Sequence, residues 1–190
     1  MSMCYTLYAA SDETITKLLE APDLIHEFLQ FGASPATAHP GLWNRLFRRS
    51  TKPAKSSCEF STGISPCSLD KSWHGLHYLF SGSDWEGDPP QGFLLNSGVE
   101  IGEIDLSYGP ARAYLAQECR QFDEFLESLS IDSLQERFDP ERMSKYEIYP
   151  NCWEHDPLEE LNYLSEFLAP LKSFMRAVSH QGLGAVAVLS

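Results

Sequence analysis

No run of apolar residues in this sequence approaches the roughly 20 that a helix needs to cross a bilayer. The opening Met1-Ser2-Met3-Cys4-Tyr5 has neither the basic nor the apolar region of a secretory signal, so a cytosolic location is expected. Cysteine is sparse. The five thiols are odd in number and include no C-x-x-C pair, which reads as free thiols in a reducing compartment. The motifs G-x-S-x-G, G-x-x-x-x-G-K-[ST], G-x-G-x-x-G and H-E-x-x-H are all missing, which argues against the common hydrolases, NTPases, dehydrogenases and zinc peptidases. Cations are scarce as well: Lys and Arg total 14 against 27 Asp and Glu, a net charge of −13. The imbalance sits mainly in residues 96–190, with 7 cations and 17 acids. Such a surface repels nucleic acid and anionic lipid and attracts a basic protein, although solubility alone also accounts for it.

What is present is ordinary for a soluble globular protein: 43% hydrophobic and 22% charged residues over 190 positions, enough for one domain with a sizeable core. Cys4–Tyr8 reads as a first strand. Ser11-Asp12-Glu13 starts a helix, and Pro22 opens a second one that ends at Gly32. Residues 32–41 are loop by composition, and Leu42, Trp43, Leu46 and Phe47 predict a short helix. A basic stretch follows, from Arg45 to Lys55. With no aromatic between its charges, the segment 48–66 is expected to be a mobile surface loop. Phe93–Leu95 and Val99–Ile101 around Asn96-Ser97-Gly98 predict a hairpin. Asp132 and Asp139 are expected to cap two short helices. Asp156-Pro157 with Glu159 starts a long one, which Pro170 should kink and Gly182 should end. Gly184–Leu189 is a near-continuous apolar run, hence a central strand.

The stretch Leu69–Phe80 (LDKSWHGLHYLF) organises the reading. At the helical period Leu69, Trp73, Leu76 and Phe80 share one stripe. The pattern predicts a helix capped by Ser68, stopped by Gly82, and pressed on the core by that stripe. On it, Asp70, His74 and His77 would meet on one flank at the border with solvent.

Together with "DLSYGPARAYL" (105–115), "FDPERM" (138–143) and "IYPNCW" (148–153), this stretch resembles the YfbM-like family of bacterial proteins of unknown function. Ser107 stands where that family's turn has its first Gly, and Ala113 is inserted before Tyr114. The resemblance implies a single α+β domain over 1–190 and no particular activity. The fold expected here is α+β, with several helices packed on a small mixed sheet.

Several constellations are candidate chemistry. Asp70 beside His74 and His77 suits a general base, or equally a set of loop caps at the edge of the core. Cys58, Cys67, His74 and His77 give C-x8-C-x6-H-x2-H, which is the wrong spacing for structural zinc, so neither a metal nor a cofactor is expected. Arg112, with Tyr108 beside it, either presents its guanidinium to a carboxylate or phosphate, or locks its own turn. Trp73, Trp153 and Tyr149 either line a pocket with the histidines or fill the core. The leading expectation is a non-enzymatic protein that offers an acidic surface to a basic protein partner; an agent that neutralises a basic toxin is one instance. The rival is a small-molecule or hydrolytic site in which Asp70, His74, His77, Tyr108 and Arg112 converge.

Overall fold

The structure, a computed structural model, describes residues 2–32 and 60–190. The predicted helix near 42–47, Cys58 and the basic stretch up to residue 59 lie outside the described residues.

Among the described residues, five strands form one sheet in the order β2-β1-β5-β4-β3. They are β1 (Tyr5–Ala10), β2 (Cys67–Asp70), β3 (Val99–Glu100), β4 (Arg112–Tyr114) and β5 (Gly184–Leu189). Every pairing is antiparallel, where a mixed sheet was expected. β5 lies between β1 and β4, as its apolar run predicts. Alternation along the strands splits the core in two. Tyr5, Leu7, Ala9, Ala185 and Ala187 face one cluster, while Ala10, Val186 and Val188 face the other. Both faces of the central strands are therefore covered, and an unbroken apolar run is what such a strand requires.

The smaller cluster is closed by α1 (Asp12–Glu20) and α2 (Ile25–Gly32), through Ile15, Leu18, Ile25 and Phe28. The larger lies under α3 (Trp73–Ser81), α5 (Ala116–Ser128) and α8 (Pro157–His180). Short helices α4 (Phe93–Asn96), α6 (Ile131–Arg137) and α7 (Pro140–Lys145) join them.

Caps behave as the sequence predicts where they are local. The Ser11 hydroxyl accepts from the Thr14 amide, Asp139 from Arg142 and Asp156 from Glu159. Pro22 opens a 3-10 turn that leads into α2. α6 is capped by Ser130 instead of Asp132, because the Ser130 and Ser133 hydroxyls cap reciprocally. α8 runs unbroken through Pro170, which lies on its exposed side.

Three expectations fail for non-local reasons. Residues 93–96 are helical, and β3 pairs with β4, so the hairpin is built from 99–100 and 112–114. The helix expected from Leu69 begins at Trp73, because Cys67–Asp70 is taken as a strand by β1. Asp70, with φ +44°, then turns the chain, and the Ser72 amide and hydroxyl both bond the Leu69 carbonyl. Finally, α3 is buried from Trp73 to Phe80 on every side, not along one stripe. A helix covered all round belongs in the middle of a core.

Candidate functional site

Burial of α3 changes what its histidines can do. His74 and His77 are 1% and 0% exposed, so neither sits at a solvent border. The Tyr149 amide donates to His74 Nδ1 at 3.0 Å. The ring proton is therefore on Nε2, which donates to the Asp84 carbonyl at 2.8 Å. Both nitrogens are engaged, and the neutral imidazole works as a clamp between the 81–92 loop and the 146–151 turn. Burial lowers its pKa, opposed by the Asp84 carbonyl and charge. His77 is pushed down to about 4, by burial first and then by the neighbouring His74. Its Nδ1 has no hydrogen-bond partner among the described residues, although the Glu86 carbonyl lies near enough to oppose the shift.

Asp70 is not beside either ring. Its Oδ1 accepts from the Cys4 thiol at 3.2 Å and its Oδ2 from the Tyr163 hydroxyl at 3.3 Å. The strand end thus ties β1 to α8, and the expected carboxylate–imidazole pair does not form. Asp70 raises the Cys4 pKa through that hydrogen bond, with burial adding to it.

Arg112 opens β4 and is spent on its own hairpin: Nη1 donates to the Ser97 carbonyl at 2.8 Å and Nη2 to Glu100 Oε1 at 3.0 Å. It stands three strands from Asp70, a separation of about 14 Å at the usual strand spacing. Tyr108 is on the exposed turn that Asp105 closes by accepting from the Ser107 and Gly109 amides, at the β3–β4 end of the sheet. The five residues of the rival site are therefore not brought to one cavity.

The aromatic residues do come together, as packing. Trp73 stacks on His74 (centroids 4.9 Å apart) and on Tyr149 (5.9 Å). Trp153 is fully buried, donates to the Ile148 carbonyl at 2.7 Å, and lies against Gly75.

One opening that the structure does offer lies elsewhere. Glu136, Asp139, Glu141 and Glu154 line a shallow cleft of about 560 Å³ with Phe138, Pro140 and Pro157. The nearby cations are held: Arg137 donates to the Leu79 and Phe80 carbonyls at the end of α3, and Arg142 lies over the Tyr146 ring. Among the described residues, the salt bridges fall on Lys17–Glu13, Arg112–Glu100 and Arg176–Glu127, none of them at the cleft, although Asp139 lies near enough to Arg142 to favour its charge. Arg137→Ala is expected to destabilise the protein by about 1 kcal/mol, since it uncovers the last carbonyls of α3. The urea midpoint checks this, and an unchanged midpoint would show the cap to be idle.

Residues 1–188 match the family described as Domain of unknown function (DUF1877). The chain belongs to that family. The solved structure of a protein of unknown function, YfbM from Escherichia coli, is similar with a TM-score of 0.63 and 20% identity, over 98% of this chain and 99% of that one. At that identity the likeness speaks for the fold. Comparison with curated proteins finds no match.

In this DUF1877 chain, two residues near the histidines escape sequence reasoning. Ser81 lies four residues after His77, and its Oγ is 3.3 Å from His77 Nε2, a spacing that could have been noticed. Its Oγ also lies 2.9 Å from the His77 carbonyl, the back-bond distance of a helical serine, and 3.2 Å from the Ser83 carbonyl, so the hydroxyl ties off a helix end and is not poised as a nucleophile. Trp85 packs against His74 with centroids 4.4 Å apart and the rings tilted by 42°, and it remains 55% exposed. Nothing in a turn-rich segment signals which way its tryptophan faces. Among the described residues, no helix is long and apolar enough to cross a membrane, and no group of three or more His, Cys, Asp and Glu could hold a metal ion.

Proposed function

We propose that this DUF1877 protein is a non-enzymatic binding protein that presents an acidic surface to a basic protein partner. The observation that carries the reading is the cleft of Glu136, Asp139, Glu141 and Glu154, whose carboxylates form no salt bridge among the described residues. Four exposed carboxylates beside Phe138, Pro140 and Pro157 attract a partner's Lys or Arg side chains, with affinity that falls as salt rises. The engagement of His74, Ser81 and Arg112 inside the fold supports the same reading, because each has its reactive atoms committed to backbone or carboxylate. Neutralisation of a basic toxin is one form such binding takes.

The test is calorimetric titration with an arginine-rich peptide. A variant carrying Glu136→Gln, Asp139→Asn, Glu141→Gln and Glu154→Gln is compared with one that loses four exposed carboxylates elsewhere (Glu20, Asp23, Glu103 and Glu166). The cleft variant is expected to bind at least about tenfold more weakly and with a flatter salt dependence, and the control within about twofold of the unmodified chain. Equal losses in the two variants, or binding indifferent to salt, would overturn the proposal.

A further inference from the structure

A second exposed feature lies outside the acidic cleft. The 81–92 loop carries one large exposed aromatic, Trp85, between Asp84, Glu86 and Asp88. The indole is not loosely hung. One side of it packs on His74, and its ring centroid is 6.3 Å from that of Trp73. Its amide donates to Asp84 Oδ1 at 2.9 Å, and the Asp84 carbonyl is the one that His74 grips from the core. The Ser83 hydroxyl accepts from the Glu86 amide at 3.3 Å, and the Ser81 hydroxyl from the Ser83 amide at 3.1 Å. The backbones of Gly87 and Gly92 touch, so that a Cβ at residue 92 would lie 2.0 Å from the Gly87 carbonyl oxygen. The loop is closed on itself and fastened to α3.

This explains why a buried histidine is used where an apolar residue would fill the space: it fixes the backbone under an exposed tryptophan. Among the described residues, Trp73 and Trp153 are fully buried, and Trp85 alone of the tryptophans faces solvent. A rigid, half-exposed indole loses little rotamer freedom when a partner covers it, and tryptophan is the residue type most often found at the energetic centre of an interface. Its π-face attracts cations, and a guanidinium stacks on it better than an ammonium does.

The loop and the acidic cleft both border the end of α6. Arg137 lines an opening with Ser81, Gly82, Gly87 and Asp88, while its neighbour Glu136 lines the cleft. The two openings flank the end of α6.

We infer that Trp85 is the aromatic anchor of the partner surface and receives an arginine side chain from a basic segment whose remaining cations lie along the carboxylates of the cleft. This rests on the proposed binding function and adds to it the residue and the side-chain chemistry. The probes are an arginine-rich peptide and a lysine-rich peptide of equal length and charge. The unmodified protein is expected to bind the arginine peptide several-fold more tightly. Trp85→Ala is expected to weaken the arginine peptide by about tenfold and to erase the preference, leaving the salt dependence in place; Trp85→Phe recovers part of the loss. Thermal unfolding of both variants reports whether the loop survives the change. If Trp85→Ala folds and binds both peptides as the unmodified chain does, while the cleft variant fails, the anchor is overturned and the acidic-surface reading stands. If the unmodified chain binds neither peptide, both fall.

Discussion

Gly75→Ala is expected to destabilise the protein by about 2 kcal/mol, a drop of roughly 4–8 °C in Tm for a chain of this size. Helix propensity alone gives the opposite sign: alanine in a helix interior is better than glycine by about 1 kcal/mol. Packing decides the matter. A Cβ at residue 75 would stand 2.6 Å from Trp153 Cη2 and 2.8 Å from Leu164 Cδ2. The indole cannot swing aside, because its Nε1 donates to the Ile148 carbonyl and its faces are buried. Leu164 is a buried residue of α8. The new methyl therefore forces α3 away from α8 or pushes a ring off its rotamer. Denaturant unfolding checks the magnitude. Pairing the change with Trp153→Phe, which shortens the ring that the methyl meets, should give a loss smaller than the sum of the two single losses. A neutral or stabilised Gly75→Ala protein would mean that the contact between α3 and α8 is looser than described.

The second large effect is acid instability through His77. The unfolded chain titrates this ring near 6.5, whereas the folded chain holds it at about 4 because it is buried beside His74. Above pH 6.5 the ring is neutral in both states and contributes no pH dependence. As pH falls from 6.5 towards 4, the unfolded state gains a proton that the folded state does not, so stability falls across that window and levels off below it. The full loss is about 3 kcal/mol, at 1.36 kcal/mol per pKa unit. Carboxylates contribute their own acid dependence, so the informative quantity is the difference between the unmodified chain and His77→Gln. Stability measured from pH 7.5 to 4 should fall less steeply in the variant. Parallel curves would place His77 in a solvated site.

Much of the fold is legible residue by residue. Ser11, Asp139 and Asp156 mark helix starts because a cap is a bond between a side chain and an amide three residues on, and Pro22 marks one because its fixed φ suits a first helical position. Gly82, with φ +76°, ends α3 because it adopts the left-handed conformation without a Cβ clash. β5 announces its central place by lacking polar residues.

The candidate site was less legible, and Leu69 and Asp70 show why. Leu69 fits both a helical stripe through Trp73 and the alternation Cys67-Ser68-Leu69-Asp70, whose burial the sheet realises. Only pairing with β1, more than 60 positions away in sequence, chooses between them. That choice moves Asp70 off the helix and away from the histidines.

What the sequence determined by itself was whatever a few adjacent residues can settle: caps, breakers, strand alternation and a surplus of carboxylates. The tertiary structure decided which groups face water. A histidine on a helix is a base if solvent reaches it and a clamp if another segment closes over it; the 81–92 loop that closes on α3 follows it directly, but the 146–151 turn comes from far along the chain. Burial is a sum over distant neighbours, so no local pattern contains it.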